Sequence, residues 1–225
     1  MRKYQTSEPS LFYYQTGENP RLLIHTGTHG DEYEVIDLVM EAVKKYEDYL
    51  PSFVFVPVVS PSAVAKRTRN NGRGIDMNRE FYSDSDDKEV VANIEILENK
   101  EFDLFVSFHE DPGSSFYYIY DVKFSDRVDE LVLAHNKKVS DMGVELLNGV
   151  DDPDDDFLGY EFVDGYLKLT HREEYDDDGT VSAWVLNRRK ASEYYCPEIP
   201  GLVDIATKRK IVETFFEKVL VERYK

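Results

Sequence analysis

The chain has 225 residues, 41% of them hydrophobic and 13% aromatic, which is enough to bury a core without disulfides and predicts one globular domain over residues 1–225. Its formal net charge of −18, from 27 Lys and Arg against 45 Asp and Glu, argues against nucleic acids and anionic membranes as partners. The sequence has no signal-peptide core and no apolar run near the roughly 18 residues of a membrane span, and it contains a single cysteine, Cys196. These features predict a cytoplasmic protein.

The first predicted strand is RLLIHTG, residues 21–27, whose nearly continuous apolar residues are typical of a strand buried on both faces. It leads directly into HTGTHGDE, which places His29 and Glu32 at the end of the strand, and Gly30 permits a sharp turn there. Residues 31–50 follow with apolar side chains at helical spacing. The sequence therefore predicts a strand, a turn that presents polar side chains, and a helix.

A second buried strand is predicted over 53–60, FVFVPVVS, and is followed by the Arg-, Asn- and Gly-rich segment KRTRNNGRGIDMNREF, residues 66–81. Arginine offers paired donors to carboxylates, and asparagine can add an amide beside it. Asn78 and Arg79 are therefore candidates to hold a substrate carboxylate, and Arg69 is a candidate to face an oxygen that becomes negative during a reaction. The alternative interpretation is a basic loop that offsets nearby acids.

The later elements continue the alternation of strand and helix. They are a helix over 88–100, a strand over 102–110, a helix over 121–140, a short β-ribbon within 149–178, a strand over 193–199 and a terminal helix within 199–225. This alternation predicts an α/β fold with a mixed, mostly parallel twisted sheet and helices on both faces. The acidic runs at 84–87, 151–156 and 173–178 are interpreted as solvated loops, because none has the spacing of an EF-hand calcium loop.

The predicted strands end in side chains suited to a metal. In an open α/β sheet, sites gather at the carboxyl ends of strands, where His29 and Glu32 follow one strand and His109 ends another. Two imidazoles and one carboxylate suit catalytic zinc, which keeps a position for water. Glu198 at a further strand end is a candidate proton acceptor, and Asp31 is a candidate to orient an imidazole. A lone histidine at a strand end is more often a structural residue than a ligand, and a glutamate there is often a surface residue, so the prediction depends on their combination.

In chain order, the H-x-x-E of HGDE, the RTR and GIDMNREF segments, the strand ending in FHE and the PEIP segment resemble the zinc carboxypeptidase superfamily. That superfamily includes carboxypeptidase A-like metallopeptidases and the succinylglutamate desuccinylase/aspartoacylase branch. The resemblance extends over about residues 25–201. It implies one Zn²⁺ ion per chain, held by His29, Glu32 and His109, with Glu198 as the general base that activates a zinc-bound water.

The resemblance also implies roles in substrate binding. Arg69 would polarise the scissile carbonyl, and Asn78 and Arg79 would bind the terminal carboxylate of the substrate. Tyr175, in EEYDDDGTVSAW, corresponds to a mobile tyrosine of such peptidases. The floor of the specificity pocket falls near residues 182–183, which are uncharged and therefore argue against a strict preference for basic side chains.

The predicted function is zinc-dependent hydrolysis of an amide bond next to a free carboxylate, in a small peptide or an N-acyl amino acid. A metallocarboxypeptidase is favoured over an N-acyl-amino-acid deacylase, because the deacylase branch typically carries an extra β domain after the catalytic glutamate and only one helix is predicted there. Two further alternatives are a catalytically silent domain that binds peptide termini through Arg79 and an unrelated α/β scaffold with fortuitous motifs. The sequence carries no indication of the oligomeric state.

Overall fold

The computed structural model describes residues 1–152, 158–172 and 176–225. The strands are β1 Arg2–Gln5, β2 Phe12–Gln15, β3 Leu22–His25, β4 Phe53–Val56, β5 Phe102–Ser107, β6 His109–Asp111, β7 Tyr118–Lys123, β8 Gly149–Val150, β9 Glu161–Phe162, β10 Tyr166–Thr170 and β11 Ala191–Pro200. The helices are α1 Tyr33–Tyr46, α2 Pro61–Lys66, α3 Lys88–Leu97, α4 Glu130–Asp141, α5 Val181–Asn187 and α6 Ile205–Phe215, the last continued by a π-helical turn over Phe216–Val221. Within the described ranges, no helix has the length and apolar composition needed to cross a bilayer.

Within the described residues, nine strands form a mixed sheet in the order β1-β2-β4-β3-β5-β11-β7-β10, with β6 paired to β11. The β3–β4, β3–β5, β5–β11, β6–β11 and β7–β10 pairs are parallel. The β1–β2, β2–β4 and β7–β11 pairs are antiparallel. The predicted mixed, mostly parallel sheet is therefore confirmed.

The sheet is buried on both faces by helices. Leu22 and Ile24 of β3 belong to the core shared with α1, α4 and α6, whereas Leu23 between them belongs to the core shared with α3 and α5. Because successive side chains of a strand point to opposite faces, both sets have to be apolar. This is the physical reason for the continuous apolar runs in the sequence, and the predicted helices on both faces are confirmed.

The helix predicted over residues 121–140 begins later than the sequence suggests. Residues 118–123 form β7, which pairs with β11, and α4 starts at Glu130. The carboxylate of Asp129 accepts hydrogen bonds from the backbone N–H groups of Leu131 and Val132, which is the usual way to cap a helix start. The prediction was wrong for residues 121–129, of which 121–123 pair in the sheet and the rest connect β7 to α4.

The region after α4 also differs in part from the predicted β-ribbon. β8 and β9 do form a small two-stranded sheet. β10, however, joins the main sheet as an edge strand parallel to β7. The N-terminal hairpin β1–β2 and the short helices α2 and α5 were not predicted, because segments of four to seven residues carry too few periodic positions.

Three parallel strands deliver the candidate site residues to one edge of the sheet. The loop after β3, the strand β6 that follows β5, and the end of β11 all lie at this carboxyl edge. Gly30 allows the loop after β3 to pass against α2, because a Cβ atom there would lie 1.9 Å from the carbonyl oxygen of Ala63. Its N–H donates to the carbonyl of Thr68 at 2.9 Å, which fixes the path of the loop.

Candidate metal centre and substrate cavity

His29, Glu32 and His109 meet at the carboxyl edge of the sheet, and each is about 3% exposed. One potential ligand atom from each side chain lies within 4.8 Å of the others. The Glu32 carboxylate lies between the rings, with Oε1 2.5 Å from His29 Nδ1 and Oε2 3.0 Å from His109 Nδ1. Two imidazole nitrogens and a carboxylate that converge in this way fit the ligand chemistry of zinc and similar divalent transition metals.

Local structure explains why these side chains converge. Glu32 is the residue before α1, yet its side chain makes no capping hydrogen bond and is directed to the histidines instead. His109 begins β6, where it pairs with Glu198 of β11. The backbone N–H of Glu110 donates to Glu32 Oε2 at 3.3 Å, which ties the strand to the carboxylate. The cluster is therefore held by the turn, the helix start and the sheet together.

The outer nitrogen of each imidazole has its own partner. His29 Nε2 lies 3.0 Å from Asp76 Oδ1, and His109 Nε2 lies 3.1 Å from Ser107 Oγ. Such partners fix the ring orientation and the tautomer of metal-binding histidines. Asp76, and not the expected Asp31, orients an imidazole. The signal was present in the sequence, since Asp76 is the first residue of the D-x-N-R segment.

The charges of the cluster are strongly coupled. Burial disfavours ionisation of Glu32, but the two adjacent imidazoles outweigh it and hold the pKa of Glu32 well below its usual value. Burial also disfavours ionisation of Asp76, but the hydrogen bond from His29 and the charge of that ring favour it. The pKa of the Asp76 carboxyl is therefore below its usual value. For His29 burial would lower the pKa, but Glu32 and Asp76 raise it to about 9. Without metal, His29 is therefore an imidazolium at neutral pH.

Metal uptake is expected to displace this proton. The raised pKa of His29 stabilises the metal-free protein fully below about pH 6.5, and this contribution is lost as the pH rises through about 9. A metal has to compete with the proton, so zinc affinity should rise by about tenfold per pH unit through the neutral range. Chelator competition at several pH values, corrected for the chelator's own protonation, measures this slope. An affinity that is constant between about pH 6.5 and 8.5 would contradict the assignment of His29.

Glu198 lies at the carboxyl end of β11, paired in register with His109 on one side and Tyr118 on the other. Loss of solvation raises the pKa of Glu198, the charge of His109 lowers it, and the Glu32 and Asp111 carboxylates raise it, to about 7. A carboxyl group with a pKa near neutrality can both accept and return a proton. This is the property required of a general acid/base.

A cavity of about 1040 Å³ brings the predicted substrate-binding residues to the same place. Arg69, Asn78 and Arg79 line it together with the His29–Glu32–His109 cluster and Glu198. The guanidinium of Arg69 donates to Asp76 Oδ2, from Nε at 3.0 Å, and Nη2 lies 2.9 Å from the same oxygen. Asp76 thus links the arginine to the imidazole of His29.

Residues of α5 and of the segment bound to its start line another part of the cavity. Asn78 Oδ1 accepts the N–H of Val181 at 3.2 Å, and Arg79 Nη1 donates to the Asn78 carbonyl at 2.9 Å. Ser182 and Ala183, the expected floor residues, both line the cavity. Tyr175 lies outside the described residues.

The other walls contain tyrosines and aspartates that were not predicted as site residues. Tyr118 donates its hydroxyl to Asp111 Oδ2 at 3.0 Å, and Tyr120 donates to Asp151. Asp178 accepts from the backbone and hydroxyl of Thr180. Among the described residues these three aspartates have neutral donors and no Lys or Arg partner. Acidic residues from the runs at 151–156 and 173–178, which the sequence suggested were solvated loops, therefore face the cavity.

The amino-acid sequence matches a family model described as the succinylglutamate desuccinylase/aspartoacylase catalytic domain over residues 18–135, just over half of the chain. This span contains His29, Glu32 and His109, whereas Glu198 lies beyond it. No curated protein matched the sequence.

Solved structures share the fold over nearly the whole chain. A candidate metallopeptidase from Shewanella denitrificans OS217 has a TM-score of 0.75 and 19% identity, and the match covers 95% of this chain and 79% of that protein. A metallo-carboxypeptidase from Burkholderia cenocepacia has a TM-score of 0.60 and 15% identity, covering 95% and 60% of the two chains. An aspartoacylase family protein from Mesorhizobium loti has a TM-score of 0.54 and 20% identity, covering 94% and 62%. At these identities the likenesses show the fold alone.

Proposed function

Because the chain belongs to the succinylglutamate desuccinylase/aspartoacylase catalytic domain family, we propose that it is a zinc-dependent hydrolase that cleaves an amide bond next to a free carboxylate. The resemblance to the zinc carboxypeptidase superfamily is confirmed by this membership and by the shared fold. The observation that carries the proposal is the placement of the His29–Glu32–His109 cluster in one cavity with Glu198. The nitrogen and carboxylate donors of the cluster suit one zinc ion, with room for a further ligand.

Glu198 and Arg69 have separate roles in the proposed reaction. When bound, zinc would supply Lewis acidity, which makes a water molecule easier to deprotonate and withdraws charge from the carbonyl oxygen. Glu198 accepts the proton of the attacking water and returns it to the leaving nitrogen, for which its pKa of about 7 is suited. Arg69 donates to the carbonyl oxygen as it becomes negative.

The free carboxylate of the substrate is assigned to Asn78 and Arg79. A guanidinium can donate two parallel hydrogen bonds to a carboxylate, and the adjacent amide adds a further donor. Both side chains line the cavity close to the start of α5, where Val181 binds Asn78. This position lets the substrate carboxylate define which amide bond reaches Glu198.

The charge of the cavity favours a carboxypeptidase over a deacylase of dicarboxylic substrates. Succinylglutamate and N-acylaspartate carry carboxylates beyond the one that Asn78 and Arg79 can hold. Asp111, Asp151 and Asp178 lie in the cavity and, within the described part of the chain, have neutral hydrogen-bond donors as side-chain partners, so a further carboxylate beside them would meet negative charge. We therefore propose a peptide substrate, with N-acyl amino acids that lack a second carboxylate as the alternative.

The acidic side chains of the cavity predict a charge preference among substrates. We compare three peptides that differ in one side chain, which is lysine, leucine or glutamate. The lysine and leucine peptides should be hydrolysed at least about tenfold more efficiently than the glutamate peptide, because like charges in a cavity oppose binding. Steady-state kcat/KM for the three substrates measures the preference. Asp151→Asn should narrow it and Asp84→Asn, an exposed residue outside the cavity, should not. A preference for the glutamate substrate would contradict the assignment of the cavity walls.

A substrate screen of the zinc-loaded protein tests the function itself. Peptides with a free C-terminus and N-acyl amino acids are compared with the same compounds as C-terminal amides, which remove the required carboxylate. Hydrolysis of the free acids only is the expected result. Zinc binding without hydrolysis of any of them would favour a silent peptide-binding domain. A protein that binds no zinc would contradict the proposed zinc-dependent mechanism.

A further inference from the structure

A buried ion cluster lies behind the candidate metal ligands. Lys208 of α6 is 1% exposed, and its Nζ is 2.8 Å from Glu110 Oε1 and 2.6 Å from Glu34 Oε2. Glu110 directly follows His109 in β6, and Glu34 lies in the first turn of α1, two residues after Glu32. A single ammonium therefore joins the two chain segments that supply the ligands.

Glu110 connects this ammonium to the metal cluster. Its backbone N–H donates to Glu32 Oε2, and the same oxygen lies 3.0 Å from His109 Nδ1. Neighbouring residues in a strand point to opposite faces, so the Glu110 side chain can be held by Lys208 while His109 faces the cluster. Glu110 thus bridges the Lys208 ammonium and Glu32 Oε2, which is a candidate ligand oxygen.

Stability alone does not account for a charged cluster at this position. Removing a lysine and a glutamate from water is costly, and replacing a buried ion pair by apolar side chains of similar size is often neutral or stabilising. The surroundings of Lys208 are compatible with such a replacement, because α6 packs its buried face into an apolar core. The ion cluster is better explained by the fixed geometry that two charge-assisted hydrogen bonds impose.

We propose that Lys208 is a positioning residue that holds Glu110, and through its backbone the Glu32 carboxylate, in the arrangement needed for metal binding. The inference rests on the proposed metal site. It assigns a role to α6, which lies outside the segment that matches the family model. Among the described residues Lys208 pairs with Glu34 and Glu110, and it acts on the cluster through Glu110.

The test is a double variant, Lys208→Met with Glu110→Met, which removes both charges and avoids leaving one of them buried alone. The melting temperature without metal is expected to stay close to that of the wild type. Zinc affinity, measured by chelator competition, is expected to fall by about tenfold, the lower end of the range for residues that orient ligands. The visible spectrum of the cobalt-loaded protein should also change, because it reports the ligand geometry.

Lys45→Met is the matched control. Lys45 of α1 pairs with Glu213 of α6 at 3.0 Å on the surface, so this variant breaks an ion pair between the same two helices away from the cluster. Its zinc affinity and cobalt spectrum should equal those of the wild type. If the double variant does not fold, Lys208→Arg, which keeps the charge but changes the donor geometry, should still show several-fold weaker zinc binding.

The outcomes separate this inference from the proposed function. A double variant that binds zinc within about twofold of the wild type, or a control that is weakened equally, overturns the positioning role and leaves the metal site intact. A wild-type protein that binds no zinc overturns both.

Discussion

Glu198→Gln is expected to keep zinc affinity within about twofold of the wild type and to lower kcat by about 10²–10⁴-fold, the usual contribution of a general acid/base. Glutamine has nearly the shape of glutamate but cannot accept and return a proton. Glu198 adjoins His109 in the sheet but is not part of the cluster whose ligand atoms converge. The chemistry should therefore be lost while the metal site remains.

Zinc content by elemental analysis and single-turnover rates on one peptide measure the two effects separately. Glu193→Gln is the control, because Glu193 lies on the same strand but pairs with Arg223 at 2.6 Å and does not line the cavity among the described residues. It should leave both quantities unchanged. Turnover of Glu198→Gln equal to that of the wild type would remove Glu198 from the mechanism.

Removal of a proposed metal ligand is expected to have a comparably large effect on zinc binding. His109→Ala should weaken zinc affinity by more than about 100-fold, because loss of a partner that only orients a ligand already costs about 10–100-fold. Asp76→Asn, which alters the partner of His29 Nε2, should fall within that smaller range. Zinc affinity should therefore decrease in the order wild type, Asp76→Asn, His109→Ala.

Equilibrium dialysis against zinc gives the affinities, and thermal unfolding gives an independent measure. At a zinc concentration about 100 times the wild-type Kd, binding stabilises the folded protein by about 2.7 kcal/mol, and most of this should be absent in His109→Ala. Melting of each metal-free variant corrects for the buried space that the alanine leaves. Equal zinc stabilisation of His109→Ala and the wild type would rule out His109 as a ligand.

The convergence of His29, Glu32 and His109 could be predicted from the sequence because it follows from topology. Each histidine belongs to a segment at the carboxyl end of a buried parallel strand, and neighbouring parallel strands bring those ends to one edge. Glu198 follows by the same argument, since β11 is parallel to β5. Runs of apolar residues that are buried on both faces were sufficient to locate these strands.

The supporting residues could not be predicted in the same way. Lys208 occurs in an amphipathic helix pattern, where a lysine ordinarily marks the solvent face, and only the packing of α6 against α1 and β6 shows that it is buried. Asp76 has a recognisable motif position, but its partner is set by how the loop returns to His29. Asp151, in the acidic run at 151–156, lines the cavity and accepts a hydrogen bond from Tyr120, which is distant in sequence.

Anomalous diffraction from zinc-loaded crystals tests the central claim most directly. We predict one zinc peak per chain at about 2.0–2.2 Å from His29 Nδ1, His109 Nδ1 and a Glu32 oxygen, with a fourth position open to water. A zinc peak bound by other residues, or a zinc-loaded crystal with no peak between these three side chains, would contradict it.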